Sequence, residues 1–299
     1  MTSILVTGAA GTVGSNLLQS LADRPGVSVR AGTRDLAKLR AATLSPNVVP
    51  VEFDYTRPAT MRAALDGVEK LYLLTPLSDQ QVNWARTLID AAGRAGVRHV
   101  VRQSEWSCRT DRASPLRRWH AEIERYVAAS GMTWTVLRPM PFMTNFIVFT
   151  PPNADGVIYA PLGASATAYV DPRDIADAAA AILTSDSHGG RTYTLTGPAA
   201  LTTSDVASAL SAASGRTIRY VDVSDEMARG AMSEMGVPLV INEAIIEAYV
   251  LMRLDQTSEV TDSVRELTGH LPRRIDEFAR DMAAAWKSPE PVASGVIHR

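Results

Sequence analysis

The feature that most constrains the fold is a glycine-rich turn near the start of the chain, between an apolar segment and an amphipathic one. Residues 2–7 predict a short buried strand, and residues 15–21 have helical spacing. Between them, Gly8, Gly11 and Gly14 follow the spacing G-x-x-G-x-x-G. Glycines in a strand–turn–helix unit allow a tight turn, the close approach of a pyrophosphate and close packing of the helix on the strand. We therefore predict a dinucleotide site here; the alternative is a glycine-rich turn that binds nothing.

Strands and helices alternate as far as residue 138, and the strand segments are apolar enough to be covered on both faces. This alternation is typical of a parallel, doubly wound sheet. The pattern becomes irregular over residues 139–169, and it is mostly helical from residue 199 onwards. We therefore predict the fold class α/β, a doubly wound parallel (Rossmann) sheet with a smaller, mostly helical C-terminal domain that covers the substrate.

The same pattern predicts the domain boundaries. The dinucleotide-binding domain takes residues 1–138 plus about 170–198, where a helix and a strand return to the sheet. The substrate-covering domain takes residues 139–169 plus about 199–287. Residues 288–299 lack a packing pattern and are predicted to form a disordered tail.

The composition excludes several classes of protein. A net charge of −2 argues against a nucleic-acid partner or an anionic-membrane partner. One cysteine and scattered histidines indicate neither a disulfide framework nor a metal site. Neither a secretory signal nor an apolar run of membrane-spanning length is evident. We therefore expect a cytoplasmic monomer or homodimer that acts on a small molecule.

The residues after the second strand bear on the choice of dinucleotide. NAD-binding units usually carry an acidic residue there to hold the ribose. Here the sequence reads Thr33-Arg34, and Lys38 follows one helical turn later. An arginine can grip the 2′-phosphate of NADP with a charge-assisted fork, so we predict NADP(H) in preference to NAD(H). The alternative is that Asp35 holds the ribose and Arg34 is a solvated charge, but Asp35 is better placed as a helix cap.

Further cofactor contacts are predicted at the ends of strands. Asp54 and Tyr55 follow the third strand, where a doubly wound fold can touch the adenine, although a polar turn explains them equally well. Residues 74–76 end the fourth strand over the glycine turn. The full predicted set is Gly8, Ala10, Gly11, Thr12, Val13, Gly14, Thr33, Arg34, Lys38, Asp54, Tyr55, Leu74, Thr75, Pro76, Ser104 and Pro139.

Several stretches, taken together and in order, resemble the NmrA-like proteins, which are atypical members of the short-chain dehydrogenase/reductase superfamily. The stretches are residues 6–14, 33–35, 95–101 before Ser104, 130–139 followed by 142–145, 170–176 and 193–198. The resemblance covers nearly the whole chain and implies NADP(H) binding, with the arginine after the second strand facing the extra phosphate. The family includes NAD(P)H-dependent quinone and azo-dye reductases, but also redox sensors that do not turn the dinucleotide over. Resemblance of fold therefore does not settle function.

The sequence offers an unusual set of catalytic candidates. Ordinary short-chain reductases use a Tyr-x-x-x-Lys pair, and none of the tyrosines here has a lysine four residues later. On the corresponding helix, His120 and Glu124 share one face. A histidine with a near-neutral pKa can donate a proton, and a nearby carboxylate would help to keep it charged. The alternative is an exposed pair of little consequence. The predicted catalytic residues are His120, Glu124 and Ser104.

The substrate pocket is expected beside these residues. Trp106 offers a flat face on one side, and Met140, Phe142 and Asn145 form the other wall, although packing in the core explains the apolar members equally well. Hydride transfer to a conjugated acceptor needs little from the protein beyond orientation. We therefore predict an NADPH-dependent oxidoreductase that transfers hydride to a quinone-like or other conjugated small molecule. The alternatives are a non-catalytic NADP(H) sensor that acts through a protein partner, and a biosynthetic tailoring reductase.

Overall fold

The computed structural model describes residues 1–41, 44–109, 114–254 and 257–287. The predicted disordered tail, residues 288–299, lies outside the described residues. Within them the strands are β1 (Thr2–Val6), β2 (Val27–Thr33), β3 (Val48–Glu52), β4 (Lys70–Leu73), β5 (His99–Gln103), β6 (Thr133–Pro139), β7 (Val157–Ala160), β8 (Ala166–Thr167), β9 (Arg191–Leu195), β10 (Leu201–Thr202) and β11 (Arg219–Asp222).

The helices cover the faces of the sheet and build the C-terminal part. They are α1 (Thr12–Ser20), α2 (Leu36–Arg40), α3 (Pro58–Ala64), α4 (Gln81–Arg94), α5 (Pro115–Ala128), α6 (Asn145–Val148), α7 (Pro172–Leu183), α8 (Thr203–Ser214), α9 (Asp225–Glu234), α10 (Leu239–Arg253), α11 (Ser263–Thr268), α12 (Ile275–Asp281) and α13 (Ala283–Lys287). A short 3-10 helix spans Trp106–Arg109. None of the described helices is both long enough and apolar enough to span a membrane.

Seven strands form one parallel sheet in the order β3-β2-β1-β4-β5-β6-β9 within the described part of the chain. The strand order reverses between β1 and β4, which is where such sheets bind ligands beyond the carboxyl ends of their strands. The predicted fold class is confirmed. Strand β9 pairs with β6, so the chain returns to the sheet after residue 170, as the sequence indicated.

The sheet has an apolar core on each face. On one face α1 packs against α7, over buried side chains such as Val6 and Leu137. On the other face α4 packs against α5, over side chains such as Leu5 and Leu71. Alternate residues of each strand supply the two cores, as the alternation of side chains along a strand requires.

The segment of residues 139–169 is more regular than the sequence suggested. It contains α6 and two short strands, of which β7 pairs in parallel with β11 and β8 pairs antiparallel with β10. Both partner strands lie about 35 to 60 residues further along the chain, so local periodicity does not reveal the pairings. These pairings join residues 139–169 to the segment after residue 199. The division into two domains stays a prediction.

The last helical segment is divided into α12 and α13. The chain turns at Met282, and Trp286 then lies 1% exposed beside Phe278, with ring centroids 6.2 Å apart. The indole Nε1 of Trp286 donates to the carbonyl of Ala279 at 2.9 Å. Burying this large side chain and satisfying its single donor explain the turn.

Candidate active site

The glycine turn has the geometry that the sequence predicted for a phosphate site. Gly8 has a φ of +65°, a left-handed conformation that favours glycine. A Cβ on Gly14 would lie 2.1 Å from the carbonyl oxygen of Gly8, so only glycine lets α1 start this close to β1. Gly11 is the N-cap of α1, and neither a side-chain cap nor a first-turn acid occupies that end of the helix. The first-turn amides and the positive end of the helix dipole therefore suit an anionic group.

Leu74, which follows β4, lies against the turn, and Tyr55, which follows β3, hydrogen-bonds to Leu74. A Cβ on Gly8 would meet Leu74 Cδ2 at 3.2 Å. The Tyr55 hydroxyl donates to the Leu74 carbonyl at 2.8 Å, and its ring stacks on Trp84 with centroids 5.8 Å apart. Burial raises the pKa of Tyr55 to about 12, so the hydroxyl stays protonated. Tyr55 thus positions the end of β4, and its predicted contact with the adenine stays a prediction.

Asp54 makes a turn at the end of β3. Its Oδ1 accepts from the backbone N–H of Thr56 at 2.8 Å and from the Thr56 hydroxyl at 2.7 Å. Burial acts to raise the pKa of Asp54, but the hydrogen bonds from Thr56 and the charges of Arg57 and Arg34 lower it overall. Asp54 is therefore a half-buried anion close to the end of β2.

The end of β2 presents two cations. Arg34 and Lys38 are exposed, and their side chains make no hydrogen bond or ion pair with the described residues. Asp35 Oδ1 accepts from the backbone N–H of Lys38 at 2.9 Å, and so it caps α2. The capping role that the sequence favoured for Asp35 is present, and the two neighbouring cations remain available to an anion.

Ser104 directly follows β5, and His120 lies on α5 with its ring against Arg102 of β5. Ser104 is buried, and its backbone N–H donates to the Leu137 carbonyl at 2.7 Å. His120 Nδ1 lies 3.2 Å from Nη2 of Arg102, whose side chain is 0% exposed. Burial, with the Arg102 charge, holds the pKa of His120 well below its usual value. His120 is therefore neutral at physiological pH.

Glu124 does not contact His120. Its carboxylate binds Arg138 at both oxygens, at 3.0 and 2.5 Å, and the two side chains are 12% and 23% exposed. The sequence-based idea that Glu124 keeps His120 charged was wrong, because the carboxylate is already paired across to β6 and the histidine faces a cation. His120 and Glu124 share a helix but belong to different hydrogen-bonded groups.

Two residues that the sequence analysis did not select stand out in the same region. Arg102 is fully buried within β5. Burial raises the pKa of Glu105 to about 7, although the Ser107 backbone N–H donates to it at 2.9 Å. A charged residue inside a buried parallel strand was the available signal for Arg102. Glu105 carried no comparable signal, since its burial depends on the 3-10 turn that follows.

The predicted pocket walls divide into packed and accessible residues. Trp106 and Met140 are 5% and 0% exposed and belong to the core beneath α6, so core packing describes these two side chains. Phe142 and Asn145 are partly exposed, and the Asn145 side chain makes no hydrogen bond to a described residue. An acceptor bound here would meet Phe142 and Asn145 first. The remaining predicted contacts occupy the same edge: Thr33, Thr75 and Pro139 are buried, and Pro76 is exposed.

Three groups with metal-binding chemistry meet elsewhere. Ligand atoms of Asp174, Asp177 and His270 lie within 4.8 Å of one another, a cluster that sequence spacing did not reveal. Arg273 bonds to both carboxylates, with Nη1 3.0 Å from Asp177. These carboxylates therefore anchor the chain before α12 to α7.

A parallel sheet with a glycine-rich turn at its switch point is the architecture of dinucleotide-binding proteins, and the relatives of this chain include nicotinamide-dependent oxidoreductases. The chain belongs to the NmrA-like family, whose model matches residues 1–279. It is 38% identical to the NAD(P)H azoreductase of Xenophilus azovorans, over 95% of this chain and 99% of that protein. It is 34% identical to a (4-alkanoyl-5-oxo-2,5-dihydrofuran-3-yl)methyl phosphate reductase of Streptomyces griseus, over 96% and 100%. Among solved structures, an NADPH-dependent quinone oxidoreductase of Escherichia coli complexed with NADPH is similar, with a TM-score of 0.82, 28% identity and coverage of 93% and 99%.

Proposed function

We propose that the protein transfers hydride from NADPH to a conjugated small molecule of the quinone or azo type. The observation that carries this proposal is the carboxyl edge of the sheet: the Gly8–Gly14 turn and an uncapped α1 follow β1, and the buried Ser104 follows β5 at the same edge. Relatives named for azo, quinone and furanone reduction support the same class of acceptor. Such acceptors need hydride and orientation more than a strong acid.

The residues of the chain bind and orient the reactants. The first-turn amides of α1 hold the pyrophosphate, and Arg34 with Lys38 holds the 2′-phosphate. When bound, the reduced nicotinamide supplies the hydride. Phe142 and Asn145 border the acceptor site. The side-chain amide of Asn145 has no hydrogen-bond partner among the described residues, so it is available to orient the acceptor. Neither a Tyr–Lys pair nor a charged His120 is required.

The activity test is direct. Purified protein is mixed with NADPH and a panel of quinones, azo dyes and furanones, and the NADPH absorbance is followed. We expect consumption with at least one acceptor class. Tight NADPH binding with no turnover across the panel would contradict the proposal and favour the sensor alternative. Turnover of the furanone alone would favour a biosynthetic tailoring reductase. The similarity to the furanone phosphate reductase of Streptomyces griseus supports that alternative.

The preference for NADPH is tested by replacing Arg34. Loss of a charge-assisted fork should raise the Kd for NADPH about 10- to 100-fold and leave the Kd for NADH nearly unchanged. Arg40→Ala is the matched control. Arg40, at the end of α2, is exposed like Arg34 but is not a predicted cofactor contact. Equal losses for both dinucleotides in Arg34→Ala would refute the preference. The cytoplasmic location and the monomeric or dimeric state stay predictions.

A further inference from the structure

Arg102 is a buried cation whose nearest side-chain partner is a histidine. Its Nη1 donates to the Leu73 carbonyl at 3.2 Å, and its Nη2 lies 3.2 Å from His120 Nδ1. Its Nε is enclosed and has no partner among the described residues. Buried guanidinium groups are normally paired with carboxylates, because an unpaired buried charge is costly. No described carboxylate forms an ion pair with Arg102.

The contact fixes the hydrogen-bonding state of His120. A guanidinium has five donors and no acceptor, so Nδ1 of His120 must accept. The ring is then neutral with its proton on Nε2. His120 Nε2 makes no hydrogen bond to a described residue, and it is not among the enclosed polar atoms that lack a partner. The donor N–H is therefore left open to a bound molecule.

We propose that Arg102 is a positioning residue that locks His120 as the neutral Nε2–H tautomer, so that His120 donates a hydrogen bond to the acceptor atom on which negative charge develops. This inference rests on the proposed function. It changes the role that the sequence suggested, since a neutral imidazole stabilises charge as a donor and does not act as an imidazolium acid.

The reaction balances without a proton from His120. The acceptor gains two electrons and one hydrogen nucleus as hydride from NADPH, which is oxidised to NADP⁺. The anion formed on the acceptor oxygen or nitrogen then takes a proton from water. His120 keeps its Nε2 proton throughout and only donates a hydrogen bond to the anion.

The surrounding ionisable groups leave this state undisturbed. Near Arg102 and His120, burial raises the pKa values of Tyr55, Tyr72 and Cys108, which keeps them neutral. Glu105 bonds to Ser107, and Glu124 is bound to Arg138. On the helices packed against α5, the paired groups are Arg86 with Glu122 and Glu243 with Arg229, while Glu247 lies near Arg118 and its pKa is raised by burial. None of these described carboxylates contacts the imidazole.

The first test needs no variant. The ring ¹⁵N chemical shifts of His120 in labelled wild-type protein report its tautomer and charge. We expect a neutral ring with a protonated Nε2 at neutral pH, and on acidification it should stay neutral below the pH at which an ordinary histidine is protonated. A protonated Nδ1 or an imidazolium at neutral pH would overturn the proposal. This measurement stands even if the protein turns over no acceptor, so a failure of the proposed function is distinguished from a failure of the Arg102–His120 arrangement.

The second test uses Arg102→Met, with Arg86→Met as the matched control at an exposed arginine on α4. Arg102→Met should lower kcat about tenfold or more, because without the guanidinium the imidazole is free to take the Nδ1–H tautomer, which has no hydrogen to donate at Nε2. Arg102→Lys should restore part of the rate, since it keeps the charge and one donor. In protein that already carries His120→Ala, adding Arg102→Met should not lower kcat further. A His120 ring that keeps its proton on Nε2 in Arg102→Met, read from its ¹⁵N shifts, or full additivity with His120→Ala in kcat, would overturn the proposal.

Discussion

Gly14→Ala tests whether close packing of α1 on the turn makes the dinucleotide site. The added Cβ would lie 2.1 Å from the Gly8 carbonyl oxygen and 2.9 Å from Ala9 Cα. An ordinary carbon–oxygen contact is about 3.3 Å, so the start of α1 must move by about 1 Å. Because the obstacle is backbone, no side-chain rotation relieves the clash.

Two effects of opposite sign decide the stability of this variant. Alanine in a helix interior is favoured over glycine by about 1 kcal/mol. Overpacking against a rigid neighbour costs about 1–3 kcal/mol or more, and a 2.1 Å contact belongs at the upper end. We therefore expect a net loss of about 1–2 kcal/mol in the free energy of unfolding.

The loss of NADPH binding should exceed the loss of stability. A shift of about 1 Å takes the first-turn amides of α1 away from the pyrophosphate, and charge-assisted hydrogen bonds are worth about 1.5–3 kcal/mol. The Kd for NADPH should therefore rise about 10- to 100-fold, measured by calorimetry or fluorescence titration.

Gly93→Ala is the matched control. Gly93 lies in α4, is exposed, and has nothing within 4 Å of the position of an added Cβ. The same substitution there should stabilise the protein by about 0.5–1 kcal/mol and leave NADPH binding unchanged. Wild-type affinity in Gly14→Ala, at unchanged stability, would refute the assignment of the turn as the pyrophosphate cradle.

Two further predictions concern buried acids beside the site. For Glu105, the pKa is about 7 in the folded protein against an ordinary 4.5, so the contribution of this carboxyl to stability is fully present below about pH 4.5 and falls by about 1–3 kcal/mol as the pH rises to 7. Glu105→Gln should remove this slope in urea unfolding followed across pH, and an unchanged slope would contradict the burial argument. Glu124→Ala should lower the free energy of unfolding by about 2–3 kcal/mol, because it leaves the mostly buried Arg138 unpaired. Glu124→Gln should lower it by less. Equal and small losses in both variants would mean that the ion pair is solvated.

The features that the sequence predicted well are those set by local chemistry. The glycine spacing predicted a close helix–strand approach, and the clash distance at Gly14 shows why glycine is needed there. Asp35 was expected to cap α2, and its side chain accepts the Lys38 N–H. The alternation of strands and helices predicted the sheet, because parallel strands covered on both faces are mostly apolar and are joined by helices.

The features that the sequence did not predict depend on partners distant along the chain. Glu124 and His120 are neighbours on a helix, but their hydrogen bonds are decided by Arg138 on β6 and Arg102 on β5. The spacing of residues along one helix predicts which side chains share a face. It does not predict which side chains of the packed strands contact that face. A pairing rule within the helix was therefore insufficient, and the wrong role for Glu124 followed from it.

The pKa shifts of His120 and Glu105 run in opposite directions because burial disfavours the charged form of each group. Burial lowers the pKa of His120 and raises that of Glu105. The proposed site, with a neutral His120, offers a hydrogen bond from the imidazole rather than an imidazolium proton at the moment of hydride transfer. It therefore suits acceptors whose reduced anions are stable enough to await a proton from water, as those of quinones and conjugated dyes are. It does not suit the oxidation of a simple alcohol, which needs a base within reach of the hydroxyl. The absence of a Tyr-x-x-x-Lys pair from the sequence and the Nε2–H state that we propose for His120 favour the same class of acceptor.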